Sequence, residues 1–234
     1  MHYAISDVHG CYDEFMELLE KIHFSDRDEL FIIGDAIDRG PKPAEVLQFM
    51  SAHWNVIPIV GNHEYIAMKV LPGLLQEMNM ENCEEVLTMD FLKGCRLWFE
   101  DGGQATADGF RNLSADEREE LLDYIRDFSV YEEVTAGGRD YVLVHSLPGD
   151  YRNAREQEYV LEEILFSRPD FRGNWKGDVT YIVGHTPTFK IGEEYAGKIF
   201  VNDCLIDIDC GCVAGYNLCA YCLETGEAFY VPRR

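Results

Sequence analysis

Five short apolar runs in this chain each end in aspartate, asparagine or histidine, and this pattern constrains the fold more than any other feature. The polar residues that follow the five runs are, in chain order, Asp7 and His9, Asp35, Asn62 and His63, His145, and His185. Segments with helical apolar periodicity separate several of the runs, which predicts alternating strands and helices in an α/β sandwich. Because α/β sheets bind ligands at the carboxyl ends of their strands, we expect these side chains to meet at one edge.

The strands are predicted at residues 3–6, 30–33, 56–60, 141–144 and 181–183, and the helices at 13–23, 44–53, 62–71, 114–128 and 155–165. Pro58 indicates that the third strand lies at a sheet edge, because proline cannot donate to a neighbouring strand. Ser114 and Glu117 form a capping-box pattern at the start of a helix. From Lys198 onward only strands are predicted, with turns at Gly211, Gly215 and residues 224–226.

The chain has 234 residues and a formal net charge of -23. This length suits a single domain over residues 1–234, and the negative charge disfavours nucleic acid as a partner, because that partner requires a basic face. Residues 73–134 hold 16 acidic and 5 basic residues and are predicted to form a mostly helical insertion near the site. The acidic segment indicates a solvated surface, with a docking face for basic peptides as the alternative.

No apolar run approaches the roughly 20 residues that a membrane helix needs, so no membrane association is expected. The amino-terminal MHYAISDVHG has neither a basic region nor a long apolar region, and we expect no signal peptide. The eight cysteines therefore indicate reduced thiols and a cytoplasmic protein. Cys219 and Cys222 have the spacing of a redox or zinc pair, but a strand would turn them to opposite sides, which favours buried apolar roles.

The residue types at the strand ends indicate a divalent metal. Aspartate, asparagine and histidine without cysteine suit borderline or hard divalent ions. Six candidate ligands are too many for one open catalytic ion and suit two: Asp7, His9, Asp35, Asn62, His145 and His185. Asp35 is the natural bridge between the ions, because its strand is predicted to be central. Two ions about 3.5–4 Å apart form a clamp for in-line attack at phosphorus and lower the pKa of a bound water to near 7.

Five motifs carry a family resemblance: SDVHG at 6–10, GDAIDRG at 34–40, GNHE at 61–64, VH at 144–145 and GHT at 184–186. In order and spacing they resemble the phosphoprotein phosphatase family of metallophosphoesterases. Three further segments, WFEDGGQAT at 98–106, ILFSRPDF at 164–171 and IDIDCGCVAGYNL at 206–218, resemble its bacterial and phage-type serine/threonine phosphatase branch. The resemblance implies a calcineurin-like sandwich, with mixed sheets flanked by helices and a dinuclear site at the strand carboxyl ends.

The resemblance also implies how the metal ligands are divided. One ion would be held by Asp7, His9 and Asp35, and the other by Asp35 together with Asn62, His145 and His185. Manganese is the first expectation for both ions, with iron or zinc as alternatives. A hydroxide that bridges the two ions would attack phosphorus.

Further roles follow from the same resemblance. Arg39 and Arg168 would bind the substrate phosphate. His63 would protonate the leaving oxygen, and Asp38 would fix the tautomer and orientation of His63. Asp209 would support a ligating histidine through a hydrogen bond.

These roles predict a dinuclear metal-dependent phosphomonoesterase. The leading substrate is phosphoserine or phosphothreonine in a protein or peptide, with a small phosphoester as another option. A symmetrical dinucleoside tetraphosphate hydrolase is the alternative enzyme, which Asp38 disfavours because such hydrolases often lack an acid there. A non-catalytic binding module on the same fold is the alternative outside enzymes, and the complete ligand set disfavours it.

Overall fold

A computed structural model describes residues 1–77, 79, 83–148 and 160–234. Within this part of the chain, ten strands form two five-stranded sheets. The first sheet contains β1 (His2–Ile5), β2 (Glu29–Ile33), β3 (Val56–Ile59), β9 (Asn217–Cys222) and β10 (Ala228–Pro232). The second contains β4 (Tyr131–Ala136), β5 (Arg139–Val144), β6 (Val179–Val183), β7 (Phe200–Asn202) and β8 (Leu205–Asp207).

Each sheet contains three adjacent parallel strands. The first sheet has the order β10-β9-β1-β2-β3, in which β1, β2 and β3 are parallel neighbours. The second has the order β4-β5-β6-β8-β7, in which β5, β6 and β8 are parallel. Three strands in each sheet therefore deliver the residues that follow them to one edge of that sheet.

Eight α-helices occur among the described residues: α1 (Tyr12–Lys21), α2 (Pro43–Ala52), α3 (Asn62–Leu75), α4 (Cys83–Val86), α5 (Met89–Glu100), α6 (Gln104–Arg111), α7 (Ala115–Arg126) and α8 (Leu161–Phe166). Ser114 caps α7, and its side chain and that of Glu117 form the reciprocal bonds of a capping box, as predicted. No helix in the described ranges has the length and apolar character needed to cross a membrane.

The core has layers on both faces of the first sheet. Leu30 and Ile32 of β2 pack in the cluster between this sheet and the helices. Phe31 and Ile33, which alternate with them, pack in the cluster between the two sheets. Successive side chains of a strand point to opposite faces, so β2 is buried on both sides and reads as a continuous apolar run.

The α/β sandwich and the predicted strands and helices are confirmed for the described residues, with changes at several ends. Pro58 does lie in an edge strand, since β3 is the last strand of its sheet. The helix predicted to end at residue 71 continues to Leu75, through Pro72. Strand β4 was not predicted, because its half-exposed sequence YEEVTA carries no apolar run. Residues 155–159 of a predicted helix lie outside the described part, and the single domain stays a prediction.

Gly34 lies where the end of β2 meets the second sheet. It has a φ of 71°, and a Cβ atom there would lie 2.4 Å from Nδ1 of His145 and 2.7 Å from Cα of Gly61. The same Nδ1 donates a hydrogen bond to the carbonyl of Ile33 (3.0 Å). The ring of His145 therefore rests against the backbone of residues 33 and 34, and only glycine leaves room for this contact.

We predict that Gly34→Ala lowers the free energy of unfolding by about 2–5 kcal/mol, because the methyl group adds a steric overlap to the strain of a positive φ. Gly138→Ala is the matched control, since Gly138 has a φ of 77° and nothing within 4 Å of its would-be Cβ. The control should lose only about 1–2 kcal/mol. Urea unfolding measures both values, and equal losses would show that the contact with His145 is not tight.

Candidate dinuclear metal centre

The first cluster of candidate ligands follows β1 and β2. Nε2 of His9 lies 3.9 Å from a carboxylate oxygen of Asp7 and 3.7 Å from one of Asp35. Nδ1 of His9 donates to the carbonyl of Ile37 (2.8 Å), which leaves Nε2 as the acceptor nitrogen, with Nη1 of Arg39 2.9 Å away. Burial lowers the pKa of His9 to about 3, so the ring is neutral and able to bind a metal.

The second cluster joins the two sheets. Nε2 of His145 lies 3.0 Å from Oδ1 of Asn62, 3.2 Å from Nδ1 of His185 and 3.5 Å from Oδ1 of Asp35. Nδ1 of His145 donates to a backbone carbonyl, which leaves Nε2 as the ring nitrogen available to bind a metal. Several groups with electron pairs therefore face one another in a largely buried space. A cation between them would relieve this repulsion, and the donor set fits a divalent ion.

Asp35 connects the two clusters. One of its carboxylate oxygens faces His9 and the other faces His145. Burial raises the pKa of Asp35, but the four surrounding histidines outweigh that effect and hold it below its usual range. The side chain is thus an ionised carboxylate placed between the two groups of candidate ligands. The His and Asp clusters fit a dinuclear divalent metal site, and the bridging position predicted for Asp35 matches this geometry.

The backbone at these residues is strained. Eight non-glycine residues in the described part of the chain have a positive φ, and six of them were predicted as site residues: Asp7, His9, Asp35, Asp38, Arg39 and His185. A positive φ is uncommon outside glycine and occurs preferentially at functional sites, where the surrounding structure enforces it. The strand ends are therefore shaped to direct these side chains inward.

Glu64 is a buried carboxylate that holds two of the turns in place, and the sequence reasoning missed its role. Its two oxygens accept hydrogen bonds from the backbone N–H groups of Gly61, Asp35, Ala36 and Ile37, at 2.8–3.3 Å. Burial, followed by the nearby charge of Asp35, raises the pKa of Glu64 to about 7. A glutamate at the third position of a helix that follows a glycine turn was the available signal.

Asp38 lies in a buried hydrogen-bond network. Its carboxylate accepts from Nδ1 of His63 (2.6 Å), Nε1 of Trp98 (2.7 Å) and Oγ1 of Thr106 (2.5 Å). The pairing of His63 with Asp38 was predicted, whereas the donations from Trp98 and Thr106 were not. These contacts fix Nδ1 of His63 as the protonated nitrogen toward Asp38.

The other ring nitrogen of His63 faces the centre. Nε2 is buried and has no hydrogen-bond partner among the described residues, and it lies 3.9 Å from Oδ2 of Asp35. Burial lowers the pKa of His63, but Asp35 and Asp38 outweigh burial and raise the pKa to about 9. The ring can therefore carry a proton at Nε2 at neutral pH.

The two predicted arginines lie in different environments. Nη1 of Arg39 lies 2.9 Å from Nε2 of His9, which brings Arg39 to the first cluster. Arg168 is exposed and lies two residues after α8. The residue before it, Ser167, is held near the end of β5 because its carbonyl accepts a hydrogen bond from the side chain of Ser146. Burial lowers the pKa of His185 to about 3, and the positive charge of Arg168 makes a smaller contribution in the same direction, so Arg168 lies within electrostatic reach of the second cluster.

Asp209 makes its described side-chain hydrogen bond to the backbone and not to the centre. Oδ1 of this buried carboxylate accepts from the backbone of Gly211 (3.0 Å), and no described hydrogen bond joins it to a ligating histidine. Burial, followed by the charge of Asp7, raises its pKa well above the usual range. The predicted support of a histidine by Asp209 is not seen among the described contacts.

Comparison with known families agrees with this geometry. The model of the family described as calcineurin-like phosphoesterase matches residues 3–208. The chain belongs to this family. A crystal structure of a proposed diadenosine tetraphosphatase has the same fold, with a TM-score of 0.65 over 100% of this chain and 93% of that one, at 17% identity. The resemblance inferred from the five motifs is thereby confirmed.

Curated relatives of two kinds resemble this calcineurin-like phosphoesterase. A symmetrical bis(5'-nucleosyl)-tetraphosphatase of Nitrosococcus oceani is 30% identical over 189 residues, which are 79% of this chain and 56% of the relative. A serine/threonine-protein phosphatase 2 of Salmonella typhimurium is 27% identical over 191 residues, 78% of each chain. The chain thus spans about half the length of the first relative.

We predict that the protein binds two equivalents of Mn²⁺ and that Asp35→Asn loses both, because its carboxylate faces both clusters. Elemental analysis after dialysis against Mn²⁺ measures the metal content. Asp26→Asn removes the same charge from an exposed position and should retain both ions. Two ions bound by Asp35→Asn would contradict the bridging role.

We further predict that Glu64→Ala destabilises the fold by about 3–5 kcal/mol, since four buried N–H groups lose their acceptor. Glu120→Ala truncates an exposed glutamate of α7 and should change stability by less than about 0.5 kcal/mol. Chemical unfolding of the metal-free proteins compares the two variants. A loss for Glu64→Ala as small as that for the control would show that water replaces the carboxylate without penalty.

Proposed function

We propose that this phosphoesterase hydrolyses phosphoric ester or anhydride bonds at a dinuclear metal centre. The observation that carries the proposal is the convergence of largely buried aspartate, asparagine and histidine side chains on two adjoining positions, with Asp35 shared between them. A non-catalytic module on the same fold would need neither this donor set nor the proton-carrying His63 beside it.

Six side chains would bind the two metal ions. Asp7, His9 and Asp35 would hold one ion, and Asp35, Asn62, His145 and His185 the other. Two divalent ions supply Lewis acidity and a water of lowered pKa when bound.

Arg39 presents a planar guanidinium that matches phosphate oxygens, and the exposed Arg168 provides a second positive charge at the rim. Nε2 of His63 donates its proton to the leaving oxygen. Asp38 holds the ring in the required tautomer through the 2.6 Å contact.

For the substrate, the relatives favour a symmetrical dinucleoside tetraphosphate over the phosphoprotein that the sequence favoured. The relative from Nitrosococcus oceani bears the name of that activity, at 30% identity. Such a substrate has a chain of phosphates that could engage both arginines. We therefore take hydrolysis of a dinucleoside tetraphosphate as the leading specific proposal.

A phosphoserine or phosphothreonine protein is the second candidate, and the network around His63 favours it. The alkoxide of serine is a poor leaving group and needs a proton, whereas a nucleoside diphosphate leaves readily without one. Three donors hold Asp38, so the pair is fixed for proton transfer. The Salmonella relative, which is named as a serine/threonine phosphatase, matches over 78% of both chains.

One assay tests both candidates. The Mn²⁺-loaded wild type is given diadenosine tetraphosphate, a phosphoserine peptide and p-nitrophenyl phosphate. The dinucleotide should give the highest kcat/KM if the leading proposal is right. A higher value for the phosphopeptide would transfer the proposal to the second candidate, and no hydrolysis of any of the three would overturn the enzymatic function.

The same assay on His63→Asn examines the proton donor. Loss of general acid catalysis should lower kcat about 10²–10⁴-fold for the phosphopeptide. It should change kcat much less for p-nitrophenyl phosphate, whose leaving group departs without a proton. The ratio of the two losses is the measurement, with metal content checked in parallel. Equal losses on both substrates with both metals retained would show that His63 is not the acid.

A further inference from the structure

Asp101 directs its two carboxylate oxygens at two different groups of the centre. Oδ1 accepts a hydrogen bond from Nη2 of Arg39 (2.8 Å), and Oδ2 lies 3.3 Å from Nε2 of His63. The side chain is about half exposed, whereas His63 is fully buried. Asp101 therefore reaches the centre from the solvent side.

Arg39 and His63 are the two donors that the proposed function directs at a substrate phosphate, and this inference rests on that function. A carboxylate presents two acceptor oxygens to a guanidinium in the way that a phosphate does. We propose that Asp101 occupies the place of substrate phosphate oxygens in the free protein. Substrate must then displace this carboxylate, which makes Asp101 a residue that limits phosphate affinity.

The turn that carries Asp101 is bound to Arg39 through its backbone as well. The amide of Arg39 donates to the carbonyl of Gly102 (3.0 Å), and Nε of Arg39 lies 3.4 Å from the carbonyl of Asp101. A Cβ on Gly102 would lie 2.7 Å from Cγ of Arg39. The carboxylate of Asp101 is thus held next to Arg39 by backbone contacts of its turn as well as by the ion pair.

Stability alone gives little reason for this ion pair. Arg39 and Asp101 have side-chain exposures of 35% and 46%, and exposed ion pairs contribute little to folding. The ion pair has a larger effect on the binding of an anion than on folding, because Asp101 neutralises Arg39 and adds negative charge at the entrance to the centre. The Asp38 network already holds the preceding residue, so Arg39 keeps its backbone position without Asp101.

The test is the affinity of the Mn²⁺-loaded protein for inorganic phosphate, measured by titration calorimetry. Asp101→Asn should bind phosphate about three- to tenfold more tightly than wild type, the effect of removing one unit charge a few ångströms from the anion. Asp108→Asn is the matched control, because Asp108 is an exposed acid of α6 that pairs with Arg111. The control should bind phosphate as wild type does.

Steady-state kinetics gives a second readout. If the carboxylate competes with substrate, Asp101→Asn should lower KM by a similar factor while kcat changes less. A residue that merely supports the fold would leave KM unimproved and lower kcat together with the unfolding midpoint. That second pattern, or phosphate binding no tighter than wild type, would overturn the proposal.

Arg39→Ala separates this proposal from the proposed function. Weaker phosphate binding by Arg39→Ala, together with unchanged binding by Asp101→Asn, would reject the role of Asp101 and keep that of Arg39. Phosphate binding that is absent in wild type and both variants would overturn the two proposals together. Tighter binding by Asp101→Asn and weaker binding by Arg39→Ala is the result expected.

Discussion

The arrangement of the centre depends on one buried carboxylate, Asp35, which faces both groups of candidate ligands. Its oxygens lie 3.7 Å from Nε2 of His9 and 3.5 Å from Nε2 of His145. Oδ1 of Asp35 also accepts a hydrogen bond from the backbone N–H of His63 (3.1 Å), and the backbone N–H of Asp35 donates to Glu64. An ionised group in such surroundings is costly unless it is paired. Two bound cations would supply that pairing, which explains why segments from both sheets close around it.

A second level of organisation comes from the helices that follow α3. The end of α5 and the start of α6 supply Trp98 and Thr106, which bind the carboxylate of Asp38. The turn between these helices binds Arg39 through Gly102. The acidic helical segment is therefore more than a solvated surface, because its interior side fixes the residues proposed to bind phosphate and to deliver the proton.

The charge distribution bears on substrate selection. The chain has a net charge of -23, while two divalent ions with Arg39 and Arg168 would form a small positive centre. A compact phosphate group is attracted at short range, and long polyanions are repelled by the surrounding surface. If Asp101 competes with substrate for Arg39, the site also selects ligands by their charge, since a weakly charged ligand would not displace the Asp101 carboxylate.

The sequence by itself determined the alternating strands and helices, the edge position of Pro58, the capped start of α7 and all six candidate metal ligands. These depend on local periodicity and on polar residues that directly follow apolar runs, and both are visible along the chain. The tertiary structure alone decided that Trp98 donates to Asp38 across 60 positions, that Glu64 also binds the turn after β2, and that Asp101 faces Arg39 and His63. Such contacts join segments distant in sequence, and no local pattern records which side chain will face which once the sheets and helices have packed.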